Sequence, residues 1–150
     1  KELAESVGGA VAVTTGAMAL LSALICLLAA VNIAHALSAS VRTRGRELGV
    51  LRAVGATKRD ISLLVLGEAS VIGLIGGAAG TLTARLLATV LDALARSRVP
   101  DFPFKPESFF NFSAGLFVGA LAIAVIASLL GALVPALAAA RTDPARVLAG

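Results

Sequence analysis

A chain of 150 residues that is 58% hydrophobic and only 15% charged, with a mean hydropathy of +0.95, carries more apolar surface than one soluble core of that length can hide. Composition therefore excludes an ordinary soluble domain and makes lipid the solvent, and the fold class that follows is an all-α membrane protein with three transmembrane helices. The net charge of +4 and a pI near 10.2 do not point to nucleic acid, because the basic residues flank apolar runs and no aromatic-basic platform accompanies them.

The chain begins with Lys1, Glu2 and Glu5, acidic where a signal peptide is basic. The apolar run that follows, 11–34, is longer than the about 7–15 residues of a signal core. We expect a piece of a longer protein, entering its first helix from the extracytoplasmic side. About 20 apolar residues cross the ~30 Å of hydrocarbon, so this helix, expected over about 5–41, is longer than the bilayer is thick and projects outward as a stalk. Its polar residues Asn32, His35, Ser38 and Ser40 cluster at the far end. They suit the interface or a hydrogen bond to a neighbouring helix. His35 and Cys26 stand alone, without the spacing of metal ligands, so no metal site is expected.

Residues 42–60 form a basic, glycine-punctuated hinge. Arg42, Arg44, Arg46, Arg52, Lys58 and Arg59 oppose only Glu47 and Asp60, a net +4 that places the hinge on the cytoplasmic side. On a helical wheel Leu48, Leu51 and Gly55 fall together with Val50 and Val54 beside them, while Gly45, Gly49 and Ala53 line much of the other side. Gly55 suits a helix C-cap, and Thr57-x-x-Asp60 before an apolar run is a capping-box start with Asp in place of Glu. The pattern predicts a short amphipathic helix followed by a sharp turn into the membrane. By physics alone it fits both an interfacial helix on lipid phosphates and an element built to receive a push from a soluble partner.

The second spanning helix, 61–91, has small residues at four-residue spacing: Ala69, Gly73, Gly77 and Thr81 in one row, Gly76, Gly80 and Ala84 in another. In lipid such rows permit close backbone packing. Its glycines lack the Lys of a phosphate loop. Glu68 lies about 12 Å along the helix from Asp60, within the span. It reads as a tether to a hinge arginine or Asn32, or as a group that handles protons or substrate.

The stretch 92–111 is balanced, with Arg96, Arg98 and Lys105 against Asp92, Asp101 and Glu107, and is expected outside. Pro100, Pro103 and Pro106 alternate with Phe102 and Phe104, an aromatic anchor for the third helix, 112–140. That helix has Gly115-x-x-x-Gly119 as a packing seam and Pro135 as a kink site. The tail 141–150 returns to the cytoplasm, with Asp143 and Pro144 as the N-cap and first turn of a short helix.

Arg44-x-Arg46-Glu47-Leu48-Gly49-Val50-Leu51-Arg52-Ala53-Val54-Gly55-Ala56, then Asp60, Ile61 and Glu68, and the ending Pro135, Ala136, Arg141, Thr142, Asp143, Pro144 and Ala145 together resemble the FtsX-like permease domain of the MacB and lipoprotein-releasing type of ABC transporter. The resemblance covers nearly the whole chain. It implies the last three of four transmembrane helices, after a first helix and a large outer domain. It implies that the hinge is a coupling helix, with Arg46, Glu47, Leu48, Gly49, Leu51, Arg52, Val54, Gly55 and Arg59 meeting a partner ATPase. Gly73, Gly76, Gly77, Gly80, Gly115 and Gly119 are the packing residues read from the spans, and Glu68 and Asn32 the polar ones. ATP and Mg would belong to the ATPase and none to this chain, which holds no nucleotide loop or acid-base constellation and is not expected to be an enzyme. The further partners implied are a second permease copy or homologue and the lipid bilayer of the inner membrane. Export or extraction of a lipoprotein, peptide or drug is the function that follows. The alternative is a signalling scaffold that activates an outer partner such as a cell-wall hydrolase.

Overall fold

The computed structural model describes residues 2–98 and 113–141; the proline- and phenylalanine-rich stretch and the Asp143-Pro144 cap lie outside them. Four helices follow in order: α1 (Glu2–Thr43), α2 (Gly45–Ala53), α3 (Lys58–Arg98) and α4 (Ala114–Ala140). Three of them contain segments long and apolar enough to cross a membrane, Ser6–Thr43, Lys58–Ser97 and Ala114–Ala140. At 1.5 Å per residue α1 and α3 each extend about 60 Å, roughly twice the hydrocarbon thickness. The helix over 61–91 thus starts earlier and runs to Arg98. Its extension, 92–98, holds two Ala, one Leu and two Arg, all strong helix formers, beside Asp92 and Ser97.

α4 is the central element, packed on α3 along one side and on α1 along the other, while α1 and α3 barely touch. The core sits at the hinge end: Leu37 of α1, Leu48 of α2, Ile61, Val65 and Ala69 of α3, and Ala132, Ala136 and Ala139 of α4. Small residues dominate α4's share, because without a hydrophobic drive between helices in lipid, close backbone contact must hold them together. Away from the hinge the helices part, and α1 is exposed throughout 6–25. α4 continues through Pro135, which is buried inside it.

The hinge adopts the local structure its residues dictate. Gly55 has φ +114, a conformation that side chains disfavour. With it, Gly55 N–H donates to Arg52 O at 3.2 Å and Ala56 N–H to Leu51 O at 3.0 Å, the paired bonds of a Schellman C-cap.

Candidate functional site

The hinge helix α2 has two unlike faces. Leu48 is 5% exposed and joins the core beside Leu37 and Ile61, and Gly49 is buried next to it. Val50, Leu51 and Val54 face away, with Val54 85% exposed. The apolar face read from the wheel is therefore divided: Leu48 holds the helix to the bundle, and Val50, Leu51 and Val54 remain uncovered. Arg46 and Glu47 on α2, and Lys58 and Arg59 at the start of α3, are exposed.

Polar contacts fix the inner face to two spanning helices. Arg52 Nη1 donates to Ala140 O at 2.9 Å, a cation on the last carbonyls of α4, where the helix dipole favours positive charge. Arg44 Nη1 stands 3.6 Å from Glu68 Oε2, and Arg44 Nε stands 3.8 Å from Glu47 Oε2. The Arg44–Glu68 pair joins the start of the hinge to the middle of α3's inner segment. Its side chains are 53% and 39% exposed, so it contributes under about 1 kcal/mol and acts mainly on orientation. Glu68 thus meets a hinge arginine, while Asn32 is exposed on α1.

The turn into α3 is closed by a reciprocal box. Thr57 N–H and Oγ1 donate to Asp60 Oδ2 at 2.8 and 2.7 Å, and Asp60 N–H donates to Thr57 Oγ1 at 3.2 Å. The Thr57 hydroxyl, then the Thr57 N–H, hold the Asp60 carboxyl below its ordinary pKa. A lowered carboxylate pKa contributes stability at neutral pH that is lost as pH falls through the folded-state value. Ser62 Oγ then reaches Lys58 O at 3.1 Å and Ala136 O at 3.4 Å, a second thread between α3 and α4.

Two glycines of the middle helix mark its seam with α4. A Cβ on Gly73 would lie 2.9 Å from Val125 Cα, and one on Gly77 2.9 Å from Ala124 Cβ. Among the described residues Gly76, Gly80 and Gly119 meet nothing within 4 Å, and Gly115 meets Ser113 Oγ at 3.8 Å. Gly76 and Gly80 line a groove of about 600 Å³ between α1, α3 and α4. Further α4 contacts lie toward its hinge end. Ser128 donates to Ala69 O, and a Cβ on Gly131 would collide with the Ala30 carbonyl oxygen of α1. Sequence reasoning missed this seam, although Ser128, Ala132, Ala136 and Ala140 repeat a small residue every fourth position, and all four are buried. Among the described residues no group of His, Cys, Asp or Glu could hold a metal ion.

The family model for the FtsX-like permease C-terminal region matches residues 19–144. The chain belongs to the FtsX-like permease family. An ABC transporter permease of Methanocaldococcus jannaschii, described as uncharacterized, is 28% identical over 100% of this chain and 36% of its own length. The macrolide export ATP-binding/permease protein MacB of Nitrosomonas europaea is 34% identical over 87% of this chain and 18% of its own. The pyoverdine export ATP-binding/permease protein PvdT of Pseudomonas putida is 35% identical over 89% and 18%. The chain therefore spans about a third or less of the length of these relatives. Within the FtsX-like permease match lie the hinge, the Gly73 and Gly77 seam and the whole of α4.

Proposed function

We propose that this chain is the membrane-embedded end of an ABC transporter permease, and that α2 is the element through which an ATPase moves it. The observation that carries the reading is the division of α2: one face built into the bundle through Leu48 and the Arg52 bond to Ala140 O, the other offering Val50, Leu51 and Val54 uncovered. A helix fixed on one side and apolar on the other transmits displacement from whatever grips its open side. Arg46, Glu47 and Arg59 are exposed and would set the orientation of that grip through charge pairs. The ATPase, a subunit or domain with its own ATP and Mg, and a second permease copy complete the proposed machine.

The relatives named as ATP-binding/permease exporters support a role in export, with motion relayed to the outer side through α1 and α3, both of which exceed the bilayer. The net +4 of the hinge against the balanced 92–111 stretch supports a cytoplasmic hinge, an outer N-terminal side and an inner-membrane location. Leu51→Asp tests the coupling role, because it places an unpaired charge in the proposed contact and leaves the core alone. We expect normal membrane yield with loss of ATPase association and of stimulated hydrolysis. Full association and hydrolysis in the variant would return α2 to the role of a lipid-bound interfacial helix.

A further inference from the structure

Beyond Gly77, α3 and α4 separate at the end of the bundle opposite the hinge. The gap holds a cavity of about 390 Å³ lined by Thr81, Leu82, Arg85, Ser113, Phe117 and Val118. Arg85 lies about 37 Å along α3 from Asp60. With ~30 Å of hydrocarbon between the two, Asp60 at one headgroup layer puts Arg85 in the other. Its guanidinium makes no ion pair or hydrogen bond among the described residues, so five N–H donors face the cavity mouth or water.

The neighbouring hydroxyls are not equivalent. Thr81 Oγ1 donates to Gly77 O at 2.8 Å, which uses its hydrogen. Ser113 Oγ accepts from Leu116 N–H at 3.2 Å, which leaves its hydrogen to donate. Beneath these two donors, Leu82, Phe117 and Val118 continue toward the hydrocarbon, and Val118 is 65% exposed. The arrangement is cationic and donor-rich at headgroup depth and apolar below it. A peptide helix would satisfy the apolar part and leave the guanidinium without an anion.

We propose that this cleft holds one phospholipid, its phosphate on Arg85 and Ser113 and an acyl chain along Leu82, Phe117 and Val118. A guanidinium and a hydroxyl converging on phosphate give charge-assisted hydrogen bonds that exchange with bulk lipid more slowly than annular contacts. The site is distinct from the hinge and does not depend on the coupling role.

The test uses the full-length protein in nanodiscs of the phosphate-free lipid digalactosyldiacylglycerol doped with spin-labelled phosphatidylglycerol, read by electron paramagnetic resonance. The expected result is a motion-restricted component that Arg85→Gln weakens about tenfold, the loss of one charge-assisted hydrogen bond, and that Arg85→Lys largely keeps. Val118→Trp, which fills the cleft with Arg85 intact, should remove it as well, and decides the matter if Arg85→Gln fails to insert. Spin-labelled diacylglycerol, without a phosphate, should show no restricted component, and millimolar inorganic phosphate should not displace the lipid. An unchanged component in Arg85→Gln and Val118→Trp, equal retention of diacylglycerol, displacement by free phosphate, or rapidly exchanging boundary lipid only would each overturn the assignment.

Discussion

The two ends of this bundle are built from similar residues and packed in opposite ways. At the hinge end, Leu37, Leu48, Ile61 and Ala132 meet in one core, and Arg52 and Ser62 add hydrogen bonds to α4 carbonyls. Farther from the hinge α1 is exposed from 6 to 25, and Gly76, Gly80 and Gly119 meet nothing within 4 Å among the described residues. Both ends are rich in Ala, Gly and Leu, so composition does not separate them. What separates them is whether small residues on two helices come into register, as Ala69 does with Ser128. If α2 couples an ATPase as proposed, displacement would enter at this closed end and leave at the open one.

The sharpest way to break the comparison is at Leu48. Leu48→Ala should cost about 2–5 kcal/mol, the loss of a core side chain plus the cavity left behind, whereas Val54→Ala, on the open face of the same helix, should stay within about 0.5 kcal/mol. Thermal unfolding in detergent distinguishes the two. Equal costs would mean that α2 has no inner and outer face.

The next contrast lies within α4. Gly131→Ala places a Cβ against the Ala30 carbonyl and should cost about 1–3 kcal/mol through overpacking, loosening α1 from α4. Gly119→Ala meets nothing within 4 Å among the described residues and should be neutral or stabilising by up to about 1 kcal/mol through helix propensity. A disulfide-trapping yield between α1 and α4 near Ala30, compared across the two variants, reports the loosening directly.

The smallest effect on stability belongs to Glu68. Glu68→Gln breaks an exposed pair with Arg44 and should change stability by less than about 1 kcal/mol, with salt shrinking the difference further. Its expected signature is a partial loss of ATP-driven activity at nearly unchanged stability. Full activity would leave Glu68 as an incidental neighbour of Arg44.

Much of this organisation was legible in the residues. The three long apolar helices follow from run length, the Thr57–Asp60 box from its spacing, and the Gly55 turn from a glycine at the end of an amphipathic segment. The close approach at Gly73 and Gly77 follows from their four-residue row. The division of α2 was not legible, because a wheel ranks faces by polarity and Leu48, Leu51 and Val54 are equally apolar; only the position of α4 determines which of them is covered. The Gly131 contact was hidden for a related reason. Glycine at 131 belongs to no glycine row, and the seam beside it is written in Ser and Ala, which also serve as ordinary filler in lipid-facing helices. The role proposed for Arg85 was not legible, because it rests on the gap beside α4, which exists only in the folded bundle.

The central claim is that the hinge and the inner end of the bundle move as one body. It is tested most directly by pulsed electron spin resonance distances in a Cys26→Ala background, with the ATPase present, before and after a non-hydrolysable ATP analogue. One label pair, at Ala53 on α2 and Leu137 on α4, spans the closed end, and a second, at Ser22 on α1 and Thr83 on α3, spans the open end; all four positions are exposed. The account predicts a single narrow Ala53–Leu137 distribution that nucleotide leaves in place, alongside a Ser22–Thr83 distance that nucleotide changes. A broad or nucleotide-shifted Ala53–Leu137 distance with a constant Ser22–Thr83 distance would contradict it.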